Sequence, residues 1–393
     1  MFYFDETYHT RKITYKNKKL NIKNEQDFYV GCYIGSTEWN EIEKEVLELE
    51  KEYKQKLSLQ DTQELKSTSL INGNKLPYGI CSMNKVSVEF YTKLLSILNN
   101  RVKIHISILD KCEFLLKKIL PSQKELERQG IIYRPFIYSL TKFITIHPQY
   151  NIIEILISND KSRTKRRKIV RILKKHITKI DNIEKKNYEK NAIEQLIIIF
   201  EKYPIHFNDF KDLKWNYDQS IILFKLFLCE QNISIKHLYI DEEKDTFIAA
   251  QRLFKEKTST LNSEENICIR ICDWIVTLIS RNMLSYSKDY MNAPLEEEFS
   301  ETIHLLDKKC LDINDSTKEL ISQMIDVLLS QQNKYWSTAG SLYLDNATEF
   351  YTMLRYFDYC FKNSEKPTPE GYNNHLSYET EHMFNRLIQH IPS

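Results

Sequence analysis

Glycine is the residue this chain largely does without: 7 in 393 positions. Neither G-x-G-x-x-G nor G-x-x-x-x-G-K-[ST] occurs, so a Rossmann or P-loop nucleotide site, whose backbone must turn tightly round phosphates, has no support. The eight cysteines include no C-x-x-C pair. The closest two, Cys268 and Cys272, flank an aspartate in an apolar stretch. No zinc or disulfide framework emerges, and thiols among apolar residues read as buried and reduced. No apolar run reaches the length of a membrane span, and the chain opens on an apolar-acidic strand and not on a signal peptide, so the expectation is a cytoplasmic protein without a membrane partner. Net charge is also lacking: 56 Lys and Arg against 54 Asp and Glu leave +2. Whole-chain charge therefore decides nothing about nucleic acid, and local clustering must.

What is present is a chain able to bury a large core, with 24 Tyr and 19 Phe. Its length favours two units. Met1–Phe4, Lys12–Tyr15, Lys19–Ile22 and Phe28–Ile34 read as β-favouring runs joined by short connections, which suggests an antiparallel meander. Ser36 or Thr37 opens a long helix from Trp39 to Leu57. A helix is expected over Val86–Leu98 and an alternating strand over Val102–Leu109. The stretch from about 112 to 215 reads as mainly helical. His237–Ile240 is a strand ending in Asp241-Glu242-Glu243, Phe247–Lys255 a helix, and Ile267–Met283 a helix with an apolar stripe. From about 295 the pattern is wholly helical. The expected fold is thus α/β: a mixed sheet flanked by helices in 1–295, with a helical insertion at about 112–215 and a helical C-terminal extension in 296–393.

Four carboxylates stand out by context. Asp5 ends the first strand, Glu64 precedes a Ser/Thr-rich turn, Asp241 ends a late strand, and Asp273 interrupts an apolar helix. A charge beside apolar residues is costly unless compensated. Carboxylates gathered on Mg²⁺ or Mn²⁺ are one compensation, since hard cations take oxygen ligands. Two ions about 3.5–4 Å apart can clamp a phosphodiester displacement. Taken singly, Asp5, Glu64 and Asp241 read as well as surface charges, and Asp273 as the partner of a buried arginine.

The order of these segments resembles the bacterial domain-of-unknown-function-3800 family, in its longer branch, within the RNase H-like superfamily. The resemblance runs over nearly the whole chain: FYFDETYHTRKI (2–13), QELKSTSL (63–70), LPYGICSMNKVSVEFY (76–91), WNYDQS near 215, HLYIDEEKDTFIAAQ, NICIRICDWIVTLISR (266–281) and the tail through YWSTAGSLYLDNATEFY. It implies an RNase H-like sheet and metal-ligand roles for Asp5, Glu64, Asp241 and Asp273. It also implies supporting roles for Glu6, for His9 as a proton shuttle, and for Lys66 beside a phosphate. Three departures bear on the site: Thr7-Tyr8 replaces Ser-Gly, Cys272 replaces Ala, and Thr277 replaces a Gly that would let helix and sheet approach closely.

KSRTKRRK and the helix that follows carry Arg163, Lys165, Arg166, Arg167, Lys168, Arg171, Lys174 and Lys175, cations suited to sequence-independent phosphate contacts. A solvated helix face is the competing reading, and no RNA-recognition aromatic signature accompanies them. The expectation is a metal-dependent nuclease acting on DNA or RNA. The alternative is an inactive nucleic-acid-binding or assembly subunit of a phage-defence or mobile-element system. A DDE-type strand-transfer enzyme ranks last for want of a separate DNA-reading domain. The C-terminal extension is a candidate surface for a protein partner or a second copy.

Overall fold

Phe2, Phe4 and Glu6 alternate with Tyr3 and Asp5 along the first strand, and this two-residue period assigns each side chain to one face of a central sheet. The computed structural model describes residues 1–8, 12–16, 19–20, 28–71, 76–210, 212–291, 305–330 and 337–389. Six strands form the sheet: β1 (Phe2–Thr7), β2 (Phe28–Ser36), β3 (Val102–Asp110), β4 (Leu238–Asp241), β5 (Thr258–Leu261) and β6 (Thr338–Gly340). Their order is β6-β3-β2-β1-β4-β5. β2 is antiparallel to β1 and β3, whereas β4 runs parallel to β1, β5 to β4, and β6 to β3.

On one face lie Tyr3, Val30, Cys32 and Ile34, packed with α1 (Trp39–Lys56), α3 (Lys85–Leu98), α12 (Ile267–Met291), α13 (Asp315–Met324) and α14 (Asp345–Asn363). On the other lie Phe2, Phe4, Tyr29 and Tyr33, packed with α10 (Asp218–Glu230) and α11 (Lys244–Phe254). A third core belongs to the helices inserted between β3 and residue 212: α4 (Lys111–Ile119), α5 (Gln123–Arg128), α6 (Tyr133–Ile146), α7 (Ile152–Ile157), α8 (Ser162–Ile180) and α9 (Asn187–Lys202). Between α1 and α3 sits the short α2 (Ser67–Leu70); after α14 comes α15 (Pro369–Gln389). Among the described residues, no helix is long and apolar enough to cross a membrane. All eight cysteines are free and six are buried.

Three expectations need correction. The antiparallel set is not a meander of the first forty residues. Lys12–Ile13 pairs with Leu213–Lys214, and Tyr15–Lys16 with Lys19–Leu20, in two minor ribbons. These stretches are too short to offer a face to the sheet, and the third antiparallel strand is Val102–Asp110. The C-terminal region is not wholly helical, since β6 adds an edge to the sheet. Gly340 permits this, because a Cβ there would lie 1.9 Å from the Ile108 carbonyl oxygen. Ser36 closes β2 and does not cap α1, although its Oγ accepts from the Glu38 N–H at 2.9 Å just before the helix.

Candidate metal centre

Asp5 and Asp241 emerge side by side. In the parallel register Phe4 lies opposite Ile240, so the next residue of each strand is an aspartate, one strand spacing from the other. Two residues back, Tyr3 and Tyr239 stack with centroids 5.1 Å apart, which puts both aspartates on that same face, under α12. α12 supplies Asp273 from above. Its Oδ1 accepts from Ser67 Oγ at 2.8 Å and its Oδ2 from Ser67 N at 3.1 Å. The next residue, Trp274, donates from Nε1 to Leu65 O at 2.7 Å. One turn earlier, Arg270 meets Glu50 at 2.8 Å, and Glu50 also accepts from Leu65 N. Three residues of α12 thus pin the segment that carries Glu64 and Lys66. All four acids remain partly exposed.

The carboxyls sense one another. Burial raises Asp5 well above the usual carboxylate range, and Asp273 and Asp241 raise it further, against the Glu6 N–H that donates to Oδ1 at 2.7 Å. Asp273 is raised by burial and by Asp241, against the Ser67 bonds. Asp241 is raised by burial, with Glu243 adding and the Glu242 and Ser263 N–H groups and Lys66 opposing. Glu64 is raised by burial, with Lys66 and Arg270 opposing and Asp273 adding. Only Glu64 has a cation, Lys66 at 3.7 Å, whose side chain is 64 % exposed. Among the described residues Asp5, Asp241 and Asp273 form no ion pair. No three acids of this set bring ligand atoms within 4.8 Å of one another. Like charges stand apart in this way unless a cation draws them in.

Of the supporting residues, Lys66 lies at the site, His9 falls outside the described residues, and Glu6 is turned away. Strand alternation sends the Glu6 carboxylate to the opposite face, where it accepts from Tyr29 Oη at 2.7 Å and from Thr246 Oγ1 at 3.3 Å. Burial pushes it up to about 8.

The basic helix divides too. Lys165 is buried and donates to Leu156 O at 2.7 Å, away from any phosphate, and the half-buried Arg166 donates from Nη1 to Tyr203 O at 2.7 Å within the insertion's own packing. Arg163, Arg167, Lys168, Arg171, Lys174 and Lys175 are exposed along one side of α8. Lys168 and Lys174 are engaged by Asp160 and Glu201, each at 2.6 Å.

A cluster that sequence reasoning missed lies inside the insertion. His147, His176 and Glu189 are the one group of three or more His, Cys, Asp or Glu among the described residues whose ligand atoms all fall within 4.8 Å of one another. They come from three different elements, 29 and 13 positions apart, and no spacing motif connects them.

Scanned against protein-family models the sequence matches none, and neither the curated proteins nor the solved structures yield a match. What fold and site define on their own is a mixed-sheet α/β protein with an acidic cleft where β1, through Asp5 within the strand, runs beside the end of β4 at Asp241.

Proposed function

We propose that this chain is a metal-dependent nuclease built on an RNase H-like sheet, hydrolysing phosphodiester bonds of DNA or RNA. The observation that carries the reading is the convergence of Asp5, Asp241 and Asp273. Three partly buried carboxyls sense one another, each raised above its usual range, and among the described residues none forms an ion pair. The order β3-β2-β1-β4-β5, with β4 and β5 parallel to β1, supports the RNase H-like part.

The donor set suits Mg²⁺ or Mn²⁺: the polar groups are carboxylates, and of the two buried thiols beside Asp5, Cys32 and Cys272, the latter is pushed up by burial and so stays neutral. Asp5, Asp241 and Asp273 would hold the ion, with Glu64 completing the set once Lys66 turns to the substrate. Bound there, the cation supplies charge for the phosphate and acidity for an attacking water. The rest falls to the chain. Ser67 fixes the Asp273 carboxylate through both oxygens. Lys66, exposed beside Glu64, is placed to contact a phosphate oxygen. The exposed arginines of α8 would offer further contacts along a nucleic-acid backbone.

The test is cleavage of labelled single- and double-stranded DNA and RNA in Mg²⁺ and Mn²⁺ by the wild type, Asp5→Asn and Asp273→Asn. Wild-type cleavage that vanishes in both folded variants supports the site. Equal cleavage by all three overturns it. Binding without cleavage by the wild type would make the chain a nucleic-acid-binding subunit instead.

A further inference from the structure

We propose that His147, His176 and Glu189 form a second metal site, taking a borderline divalent ion of the Zn²⁺ class, which ties together three elements of the helical insertion. Both imidazoles aim Nε2 at the same carboxylate oxygen: each lies 3.0 Å from Glu189 Oε1. Lys186 occupies the other oxygen at 2.6 Å, so the carboxylate is held with Oε1 toward the rings. Bonds of about 2.0–2.1 Å to a tetrahedral ion put ligand atoms about 3.3 Å apart. The observed 3.0 Å separations are within a few tenths of an ångström of that edge.

The surroundings suit an ion. His147 and His176 are buried, at 3 % and 0 % exposure. Phe143 walls both rings, with centroids 4.7 Å from His147 and 5.2 Å from His176. Tyr150 Oη sits 3.0 Å from His176 Nδ1, the outer hydrogen bond that fixes a ligating imidazole. Glu189, 26 % exposed at its side chain, marks the way in for the ion and for a water as fourth ligand.

The same atoms form a proton network when no ion is bound, each Nε2–H donating to Oε1. An ion bound at Nε2 would shift each imidazole to its Nδ1–H tautomer. His176 then carries its proton on Nδ1 and donates to Tyr150 Oη, so the tyrosine serves both states by turning its hydroxyl. Two imidazoles and one carboxylate favour Zn²⁺ or Co²⁺ over Mg²⁺, which separates this site from the carboxylate cleft.

Titration of the full chain with ZnCl₂ in excess MgCl₂, by calorimetry in buffers of different ionisation enthalpy, tests this. Expected are one Zn²⁺ per chain with little net proton release, since each imidazole keeps one proton, a thermal midpoint that rises with Zn²⁺ and falls back with EDTA, and a Co²⁺ ligand-field spectrum of tetrahedral type. His176→Gln and Glu189→Gln should weaken uptake by about tenfold or more. Asp5→Asn, which alters only the cleft, should bind Zn²⁺ like the wild type whatever its fate as a nuclease. Absence of wild-type uptake at about a hundred times the Kd ordinary for such sites overturns the proposal, as does uptake that survives in both insertion variants. The wild-type titration decides even where a variant fails to fold.

Discussion

Replacing Asp273 with Asn should make the metal-free protein more stable, the reverse of what a buried, hydrogen-bonded aspartate ordinarily shows. Asn can keep the local geometry: Oδ1 accepts from Ser67 N, and Nδ2 donates to Ser67 Oγ, the two groups Asp273 now binds at 3.1 and 2.8 Å. Exchanging charge-assisted bonds for neutral ones costs about 1 kcal/mol. Against this stands repulsion from Asp5 and Asp241. Two unit charges about 6 Å apart at an effective dielectric of about 20 repel by about 3 kcal/mol. Partial protonation of the cluster reduces that figure, leaving a net gain of roughly 1–2 kcal/mol at pH 8. That is a rise of about 2–8 °C at the scale of about 2–4 °C per kcal/mol for domains of intermediate size. The assay is thermal unfolding at pH 8 in EDTA and again in Mg²⁺ or Mn²⁺. In EDTA the variant should melt above the wild type. With the cation the wild type should gain more and the order should close or invert. Below about pH 3, where the carboxyls are mostly protonated in both states, the difference should vanish. A variant clearly less stable than the wild type at pH 8 in EDTA would refute the view of these carboxyls as a mutually repelling set.

The same reasoning fixes a pH dependence. Glu6 is held at about 8, so between about pH 4.5 and 8 the folded chain binds more protons than the unfolded one. Metal-free stability should therefore fall as pH rises through that window, and Glu6→Gln should flatten the curve; a wild type that grows more stable from pH 5 to 8 in EDTA contradicts this. Trp274→Phe strips the Nε1 donor from the buried Leu65 carbonyl and should cost about 1–3 kcal/mol in urea unfolding, weakening Mg²⁺ or Mn²⁺ uptake through the loosened Glu64 segment. Arg270→Ala leaves Glu50, 3 % exposed, with Lys54 at 3.4 Å as its remaining cation, a loss below the roughly 3–5 kcal/mol of a fully unpaired buried charge by the same measurement. The triple change Arg163→Gln, Arg167→Gln, Arg171→Gln should leave the melting temperature alone and weaken DNA or RNA binding. Its salt slope should fall by about 0.7–0.9 for each phosphate contact removed, and an unchanged slope would separate α8 from the nucleic acid.

Much of the sheet was legible because its strands carry their own pattern. FYVGCYI and VKIHISIL are apolar, aromatic or β-branched runs, and both are strands. β5, sequence TSTL, and β6, sequence TAG, have no such pattern; pairing with β4 and β3 makes them strands. Asp5 and Asp241 could be named because each follows an apolar run, although β1 continues past Asp5 to Thr7; their adjacency lives in a parallel register no local signal encodes. Two placements could have been read from the pattern. Phe2, Phe4 and Glu6 share one strand parity and Tyr3 and Asp5 the other, so alternation already set Glu6 on the far face. Lys165 stands four residues before Ile169 and eight before Leu173, on the buried stripe of α8. The histidine cluster was not legible at all, since its members are joined only by how α6, α8 and α9 pack.

The acids and the cations sit on different bodies, one on the sheet and one on the insertion, so their cooperation requires that the insertion be held fast. The C-terminal region does this. Leaving β6, Ser341 Oγ accepts from Asp110 N at 2.8 Å, and Asp110 in turn caps α4, accepting from Glu113 N at 2.6 Å. Glu113, wholly buried, accepts from Tyr343 N at 2.8 Å. Two residues on, Asp345 accepts from Tyr138 Oη at 3.0 Å and meets Lys142 at 2.8 Å, both on α6. Five residues of one strap thus join the last strand of the sheet to the first and third helices of the insertion, while α14 buries Phe350, Met353, Leu354 and Phe357 in the core that carries Asp273. The C-terminal region is therefore structural to both bodies: its apolar helix face is spent inside this chain, and its strap sets where the arginines of α8 stand relative to the acidic cleft.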